Sequence, residues 1–113
     1  MKKIIMLVIL ITAFSLYSNA QLTYAQEYSI KVAERMKDSL SLSGDQKVQI
    51  YNINIQISNQ KAGVWRQYAG TDSLITVNLQ RIENTRDSLY LPVLGEEKYS
   101  LYLNKKKRLL NNN

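Results

Sequence analysis

Apolar side chains recur at helical spacing along most of the chain after residue 26. Over residues 27–40 the stripe consists of Ile30, Ala33, Met36 or Lys37, and Leu40. Steps of three and four residues predict an amphipathic α-helix over this range. The residues before it, 21–26, are expected to form a loose leader.

The next segment, residues 45–68, carries two competing patterns. Its helical stripe is made of Ile50, Ile53, Ile57, Val64 and Tyr68, with Gln60 or Lys61 as a polar gap. Within it, residues 51–57 alternate with the period of a strand, and β-branched Ile favours strands. We expect a helix because Ser43 and Gln46 have the spacing of a capping box at its start.

Two further helices are predicted after a turn at Gly70 and Thr71. The first, over residues 72–91, has a stripe of Ile75, Leu79, Ile82, Arg86 and Leu89. The second, over residues 96–110, has a stripe of Tyr99, Tyr102 or Leu103, Lys106 and Leu110. Pro92 disfavours a helical conformation at the residue before it, so it is expected to separate them. The pattern as a whole predicts an all-α fold: an elongated helical hairpin or bundle of about four helices.

Two of the predicted helix starts resemble each other. The first contains Leu42, Ser43 and Gln46, and the second contains Leu94, with Gly95 and Lys98 at the equivalent positions. The chain thereby resembles the LTxxQ family, the Spy/CpxP-like periplasmic chaperones and stress regulators, which carries Leu-Thr-x-x-Gln twice. Ser43 stands in for Thr at the first copy, and only Leu94 matches at the second. The resemblance implies a small all-helical protein in which the motifs are mainly architectural.

The N-terminus has the three parts of a secretory signal peptide. Lys2 and Lys3 precede an apolar run over residues 4–16, which is followed by Ser-Asn-Ala ending at Ala20. The run is shorter than the ~20 residues of a transmembrane helix. We expect a signal peptide over residues 1–20, cleaved after Ala20 or alternatively after Ala25, and a single helical domain over 21–113.

Export would place the domain in the periplasm or outside the cell. The sequence contains no cysteine, so disulfide bonds cannot stabilise this domain. A domain this small buries only a modest part of its surface. Self-association, in the simplest case as a homodimer, is an expected compensation.

The residue types argue against catalysis. The chain has neither His nor Cys, which removes the commonest general base, the usual nucleophilic triads and most transition-metal ligands. Glu83 and Asp87 share a helix face at i,i+4, and we interpret them as a solvated surface flanked by Arg81 and Arg86. No enzyme activity, cofactor or metal is therefore expected.

The positive charge indicates an anionic partner. The formal charge of +6 falls to +4 when the two lysines of the signal peptide leave, and much of the excess lies in residues 105–108. Export argues against nucleic acid. Cations also favour a helix C-terminus, so the simpler interpretation, which we prefer for the basic run taken by itself, is a solubilising helix end.

Aromatic and basic side chains of the types enriched at recognition surfaces are the candidate binding residues. They are Trp65, Arg66, Arg81, Arg86, Tyr102, Lys105, Lys106, Lys107 and Arg108. The resemblance implies an ATP-independent periplasmic chaperone or envelope-stress accessory that binds unfolded or acidic protein clients. The alternative is a non-chaperone interaction or structural protein of the cell envelope that binds an anionic surface.

Overall fold

The computed structural model describes residues 22–111, which form three α-helices. They are α1 (Tyr24–Leu40), α2 (Gly44–Gln67) and α3 (Asp72–Leu109), and no strand occurs in the described range. The predicted all-α class is confirmed, as is the choice of helix over strand for residues 51–57. The predicted signal peptide, residues 1–20, lies outside the described residues.

Helix α1 begins earlier than the apolar stripe indicated. The Thr23 Oγ1 accepts a hydrogen bond from the Gln26 backbone N–H at 3.2 Å, and the Gln26 Oε1 accepts one from the Thr23 N–H at 2.9 Å. This capping box satisfies two backbone donors that the first turn leaves without helical partners. The prediction of a loose leader over residues 21–26 is therefore wrong from Thr23 onwards.

The turn between α2 and α3 has the predicted residues but not all of the predicted bonds. Gly70 has φ 87°, a left-handed conformation that glycine adopts without a steric penalty. Thr71 is the N-cap of α3, although its side chain makes no capping hydrogen bond. The short turn makes α2 and the beginning of α3 an antiparallel hairpin, as predicted.

The structure has three helices where about four were predicted, because the predicted third and fourth helices are joined as α3, in which Gly95 separates two helical segments. Helix α3 continues through Pro92 to Leu94 and bends at Gly95, which has φ 79° and ψ 166°. Proline removes one backbone N–H donor, but Pro92 is exposed and lies three residues before the bend. The bend occurs instead at Gly95, in a region of φ/ψ space that is essentially restricted to glycine. We call residues 72–94 the first arm of α3 and residues 96–109 the second arm.

Helix α1 packs against α2 and, less extensively, against α3. The main core contains Val32, Ala33, Met36, Leu40, Leu42, Ile50, Tyr90, Leu94, Tyr102 and Leu109. The molecule is elongated, with a longest dimension about twice its shortest. Within the described residues, Tyr90 and Tyr102 are the largest fully buried side chains, so they supply much of the volume of the core.

A polar contact passes through this core. The Asn54 Nδ2 donates to the Ser29 carbonyl at 3.2 Å, and the Tyr90 hydroxyl donates to the Asn54 Oδ1. All three residues are buried. Because a buried amide without partners is costly, these bonds favour one register of α1, α2 and α3 relative to each other.

Candidate functional site: a basic and aromatic groove

An open groove of about 820 Å³ lies where all three helices meet. Its lining residues are Tyr28, Lys61, Glu83, Arg86, Lys106, Lys107, Leu110 and Asn111. They come from α1, from α2, from both arms of α3 and from the residues that follow α3. Four of the lining side chains are cationic and one is acidic, so the groove carries an excess of positive charge.

Helix α2 places Lys61 in the groove because of its position in the apolar stripe. Lys61 is four residues after the buried Ile57 and three before the buried Val64, so it lies on the face that packs against α3. Its ammonium forms an ion pair with Glu83 Oε1. The sequence pattern allowed either Gln60 or Lys61 as the polar position in the apolar stripe, and in the structure it is Lys61.

The first arm of α3 supplies an ion pair that spans one turn. The Nη1 of Arg86 lies 2.6 Å from Oε2 of Glu83, so the two oxygens of Glu83 bind two different cations. Only 3% of the Arg86 side chain is exposed, and its Nε has no hydrogen-bond partner. A buried guanidinium is usually more completely bonded than this.

Asp87 joins the two arms of α3 across the bend. The Tyr102 hydroxyl donates to its Oδ1 at 2.6 Å, and the Lys106 ammonium donates to its Oδ2 at 2.6 Å. Burial and the hydrogen bond to Asp87 raise the pKa of Tyr102 well above its usual value. The interpretation of Glu83 and Asp87 as a solvated surface is wrong, because both carboxylates are partly buried and bind cations.

Tyr28 lines the groove on the α1 side. Its hydroxyl donates to the Leu110 carbonyl at 2.6 Å, and burial raises its pKa. This bond attaches the end of α3 to α1. The second arm of α3 is therefore held from two sides, by Asp87 and by Tyr28.

An aromatic hollow continues the groove toward the beginning of α1. It measures about 430 Å³ and is lined by Tyr24, Ala25, Tyr28, Ser58, Lys61, Ala62 and Trp65. Tyr28 and Lys61 line both spaces. The rings of Tyr24 and Tyr28 are stacked with their centroids 6.5 Å apart, and 56% of Trp65 is exposed. We call the two spaces together the basic–aromatic groove.

The candidate binding residues divide into three groups in the structure. Arg86, Lys106, Lys107 and Trp65 line the basic–aromatic groove. Tyr102 is fully buried in the core, so the described conformation does not present it to a partner. The remaining candidates lie elsewhere: Lys105 donates to the Ser39 carbonyl at 3.2 Å, Arg108 lines a separate hollow, and Arg66 and Arg81 are exposed outside the groove lining.

The two helix-start motifs have an architectural role. Ser43 and Gln46 form the predicted capping box, with distances of 3.1 Å and 2.9 Å. The Gln46 side chain also donates to the Val93 carbonyl at 3.0 Å, while Lys98 donates to the Ser41 carbonyl at 2.9 Å. The first motif thus binds the residue before Leu94, and the second motif binds the residue before Leu42. Both leucines are buried.

Sequence reasoning missed several groove residues. Tyr24 lies before Glu27, where the first helix was expected to begin, and Tyr28 lies outside the apolar stripe predicted for that helix. A signal was present, since Leu22, Thr23 and Gln26 have the same spacing as Leu42, Ser43 and Gln46. That repeat of the capping-box pattern would have placed the helix start correctly.

Among residues 22–111, none of the helices combines the length and the apolar character needed to cross a membrane. Neither a protein-family model, nor a curated protein, nor a solved structure matches this chain.

Proposed function

We propose that the protein is an exported, ATP-independent chaperone or envelope-stress accessory that binds acidic, partly apolar segments of unfolded proteins in the basic–aromatic groove. The observation that carries this proposal is the continuity of two surfaces. Four cations line one end of the groove, and the stacked tyrosines with the exposed Trp65 line the other. Tyr28 and Lys61 belong to both ends.

The two ends suit different parts of the same client. Cations attract an acidic chain over distances of about a Debye length, which speeds association. Aromatic side chains then contact apolar groups of the client without requiring one sequence. Because the groove is open, a segment can enter and leave without a change in the helices.

Export is part of this proposal, and the first capping box bears on where the signal peptide is cleaved. Cleavage after Ala20 would leave Thr23 and Gln26 intact at the beginning of α1, whereas cleavage after Ala25 would separate them. Loss of the box would remove the cap of α1 and also Tyr24 from the aromatic hollow. We therefore propose cleavage after Ala20, and the intact mass of the exported product tests it.

The test of chaperone activity is suppression of client aggregation by the purified mature protein. Light scattering of chemically reduced α-lactalbumin, an acidic client, is measured with wild type, Lys107→Gln and Arg108→Gln. Both exposed residues carry one positive charge on the last turn of α3, but only Lys107 lines the basic–aromatic groove. We expect Lys107→Gln to suppress aggregation less effectively than either Arg108→Gln or wild type, and all three to weaken as salt rises. Wild type that leaves aggregation unchanged would contradict the chaperone function.

A second function is favoured by a different surface. Leu101 and Leu103 are exposed on the second arm of α3, one to two turns before the exposed Lys107 and Arg108. Apolar and cationic side chains so close together can also attach the protein to an anionic envelope surface. Sedimentation with vesicles of anionic and of neutral lipid separates the two functions. Binding to anionic vesicles without suppression of aggregation would favour the envelope-surface protein.

A further inference from the structure

Glu83 is the acidic side chain in the lining of an otherwise cationic groove. Its two oxygens bind Lys61 of α2 and Arg86 of α3, and 25% of its side chain is exposed. It therefore lies at the groove surface and not beneath it. A carboxylate that enters from solvent can therefore replace the Glu83 carboxylate at this point.

Glu83 does not fully satisfy Arg86. The ion pair uses one guanidinium nitrogen, Nη1, while the buried Nε has no partner. Guanidinium groups bind carboxylates most strongly through two parallel hydrogen bonds. The resident contact is thus weaker than the one that a freely oriented carboxylate can make.

The charge of the groove also exceeds what Glu83 neutralises. Lys61, Arg86, Lys106 and Lys107 line it, and Asp87 binds Lys106 from outside the lining. Removing an anion from a buried Arg is strongly unfavourable. Only another anion can replace Glu83 without that penalty, which selects against neutral segments.

We infer that Lys61 and Arg86 form a carboxylate subsite, which Glu83 fills in the free protein and which an Asp or Glu side chain of a bound acidic segment takes over. The inference rests on the proposed function, because it names the chemical group that the basic end of the groove recognises. Glu83 competes with the client's carboxylates for Lys61 and Arg86. A segment therefore has to carry acidic side chains in order to bind.

The experiment measures the Kd of a fluorescent peptide by anisotropy at low salt. The probe is the blocked peptide Ala-Glu-Phe-Glu-Glu-Gly, and its neutral counterpart has Gln in place of Glu. Wild type is compared with Glu83→Asp, which keeps the charge but shortens the reach to two cations, and with Glu83→Gln. Glu97→Gln is the control, since this exposed residue of the second arm lies outside the groove lining and its replacement changes the net charge equally.

We expect Glu83→Asp and Glu83→Gln to bind the acidic peptide about threefold or more tightly than wild type, while Glu97→Gln changes the Kd by less than about twofold. Circular dichroism checks that each variant is folded. In wild type labelled with ¹³C at Glu, the Glu83 carboxylate resonance should shift when the acidic peptide binds, and the Glu97 resonance should not. This measurement needs no variant.

Two negative results have different meanings. If wild type binds the acidic and the neutral peptide equally, the proposed function of the groove fails. If wild type prefers the acidic peptide, but Glu83 variants bind it no more tightly than Glu97→Gln or the Glu83 resonance does not move, the carboxylate subsite alone is wrong.

Discussion

At the scale of single residues, two glycines in helical segments have opposite roles. Gly63 lies inside α2 with helical geometry, whereas Gly95 has φ 79° in the bend of α3. Apart from its chain neighbours and its own helix backbone, a Cβ at either position would meet no atom within 4 Å. The difference between them is therefore a property of the backbone and not of packing.

This contrast predicts opposite effects of the same substitution. Gly63→Ala should stabilise the protein by about 1 kcal/mol, because Ala has the higher helix propensity. Gly95→Ala should destabilise it by roughly 1–3 kcal/mol, because Ala is strained at this φ and ψ. Thermal unfolding measures both, with ~1 kcal/mol corresponding to a shift of about 4–8 °C for a domain of this size. Equal shifts of the same sign would show that Gly95 does not determine the bend.

At the scale of the helices, α1 and α2 both begin with a capping box, but the two boxes differ in their hydrogen-bond partners. Among the described residues, the box of Thr23 and Gln26 has no further hydrogen-bond partner for the Gln26 side chain, whereas Gln46 also donates to the Val93 carbonyl. Val93 lies near the end of the first arm of α3. The start of α2 and the bend of α3 are thus stabilised by the same side chain.

Substitution of the two glutamines distinguishes the contribution of a local cap to stability from that of a tertiary contact. Gln26→Ala removes one side-chain hydrogen bond and should cost about 1 kcal/mol, while Gln46→Ala removes two and should cost about 2 kcal/mol. Ser43→Ala should cost about 1 kcal/mol as the loss of an N-cap. Chemical denaturation measures the three values. If Gln46→Ala costs no more than Gln26→Ala, the bond to Val93 contributes nothing to stability.

At the scale of the whole molecule, Tyr28 binds the end of α3 and Tyr90 binds Asn54 of α2, while a tyrosine pair joins the two arms of α3. Tyr90 and Tyr102 pack edge to face with centroids 5.0 Å apart, and both are fully buried. Burial raises the pKa of Tyr90, of Tyr102 and of Tyr28 above 10.0, the usual value for tyrosine. Their neutral form is therefore the one that the folded protein stabilises.

This arrangement predicts unfolding at high pH. An acid whose pKa is raised by folding contributes its full stabilisation below the pKa of the unfolded chain and loses it as pH rises above that value. Stability should therefore be maintained to about pH 10 and fall beyond it, by up to about 1.4 kcal/mol per pH unit for each buried tyrosine. The denaturation midpoint as a function of pH measures this dependence.

Tyr102→Phe should make the decline above pH 10 shallower, although loss of the bond to Asp87 lowers stability at neutral pH. Tyr24→Phe, at a side chain that is 70% exposed, is the control for removal of a tyrosine hydroxyl, and Tyr102→Phe should change the decline more than this control does. A decline of the same steepness in Tyr102→Phe and wild type would mean that this hydroxyl does not remain protonated in the folded protein.

The sequence by itself determined the features that depend on neighbours along the chain. The stripe through Ile50, Ile57 and Val64 identified α2, and Ser43 with Gln46 identified its first turn, because both patterns act within a few residues. The same kind of local signal at Thr23 and Gln26 was present but overlooked. Local patterns also predicted a helix start at Gly95, where the bend lies, but they assigned the end of the preceding helix to Pro92, through which α3 continues.

Only the tertiary structure decided which polar residues meet. Lys61 and Glu83 are 22 positions apart and Asp87 and Lys106 are 19 apart, so no local spacing connects them. The bend at Gly95 brings the second arm of α3 back to Asp87, buries Tyr102 and leaves Lys107 in the groove. Charge in residues 105–108 was visible in the sequence, but which of those four side chains line the groove, which binds the Ser39 carbonyl and which lines a separate hollow follows from the direction in which the helix returns.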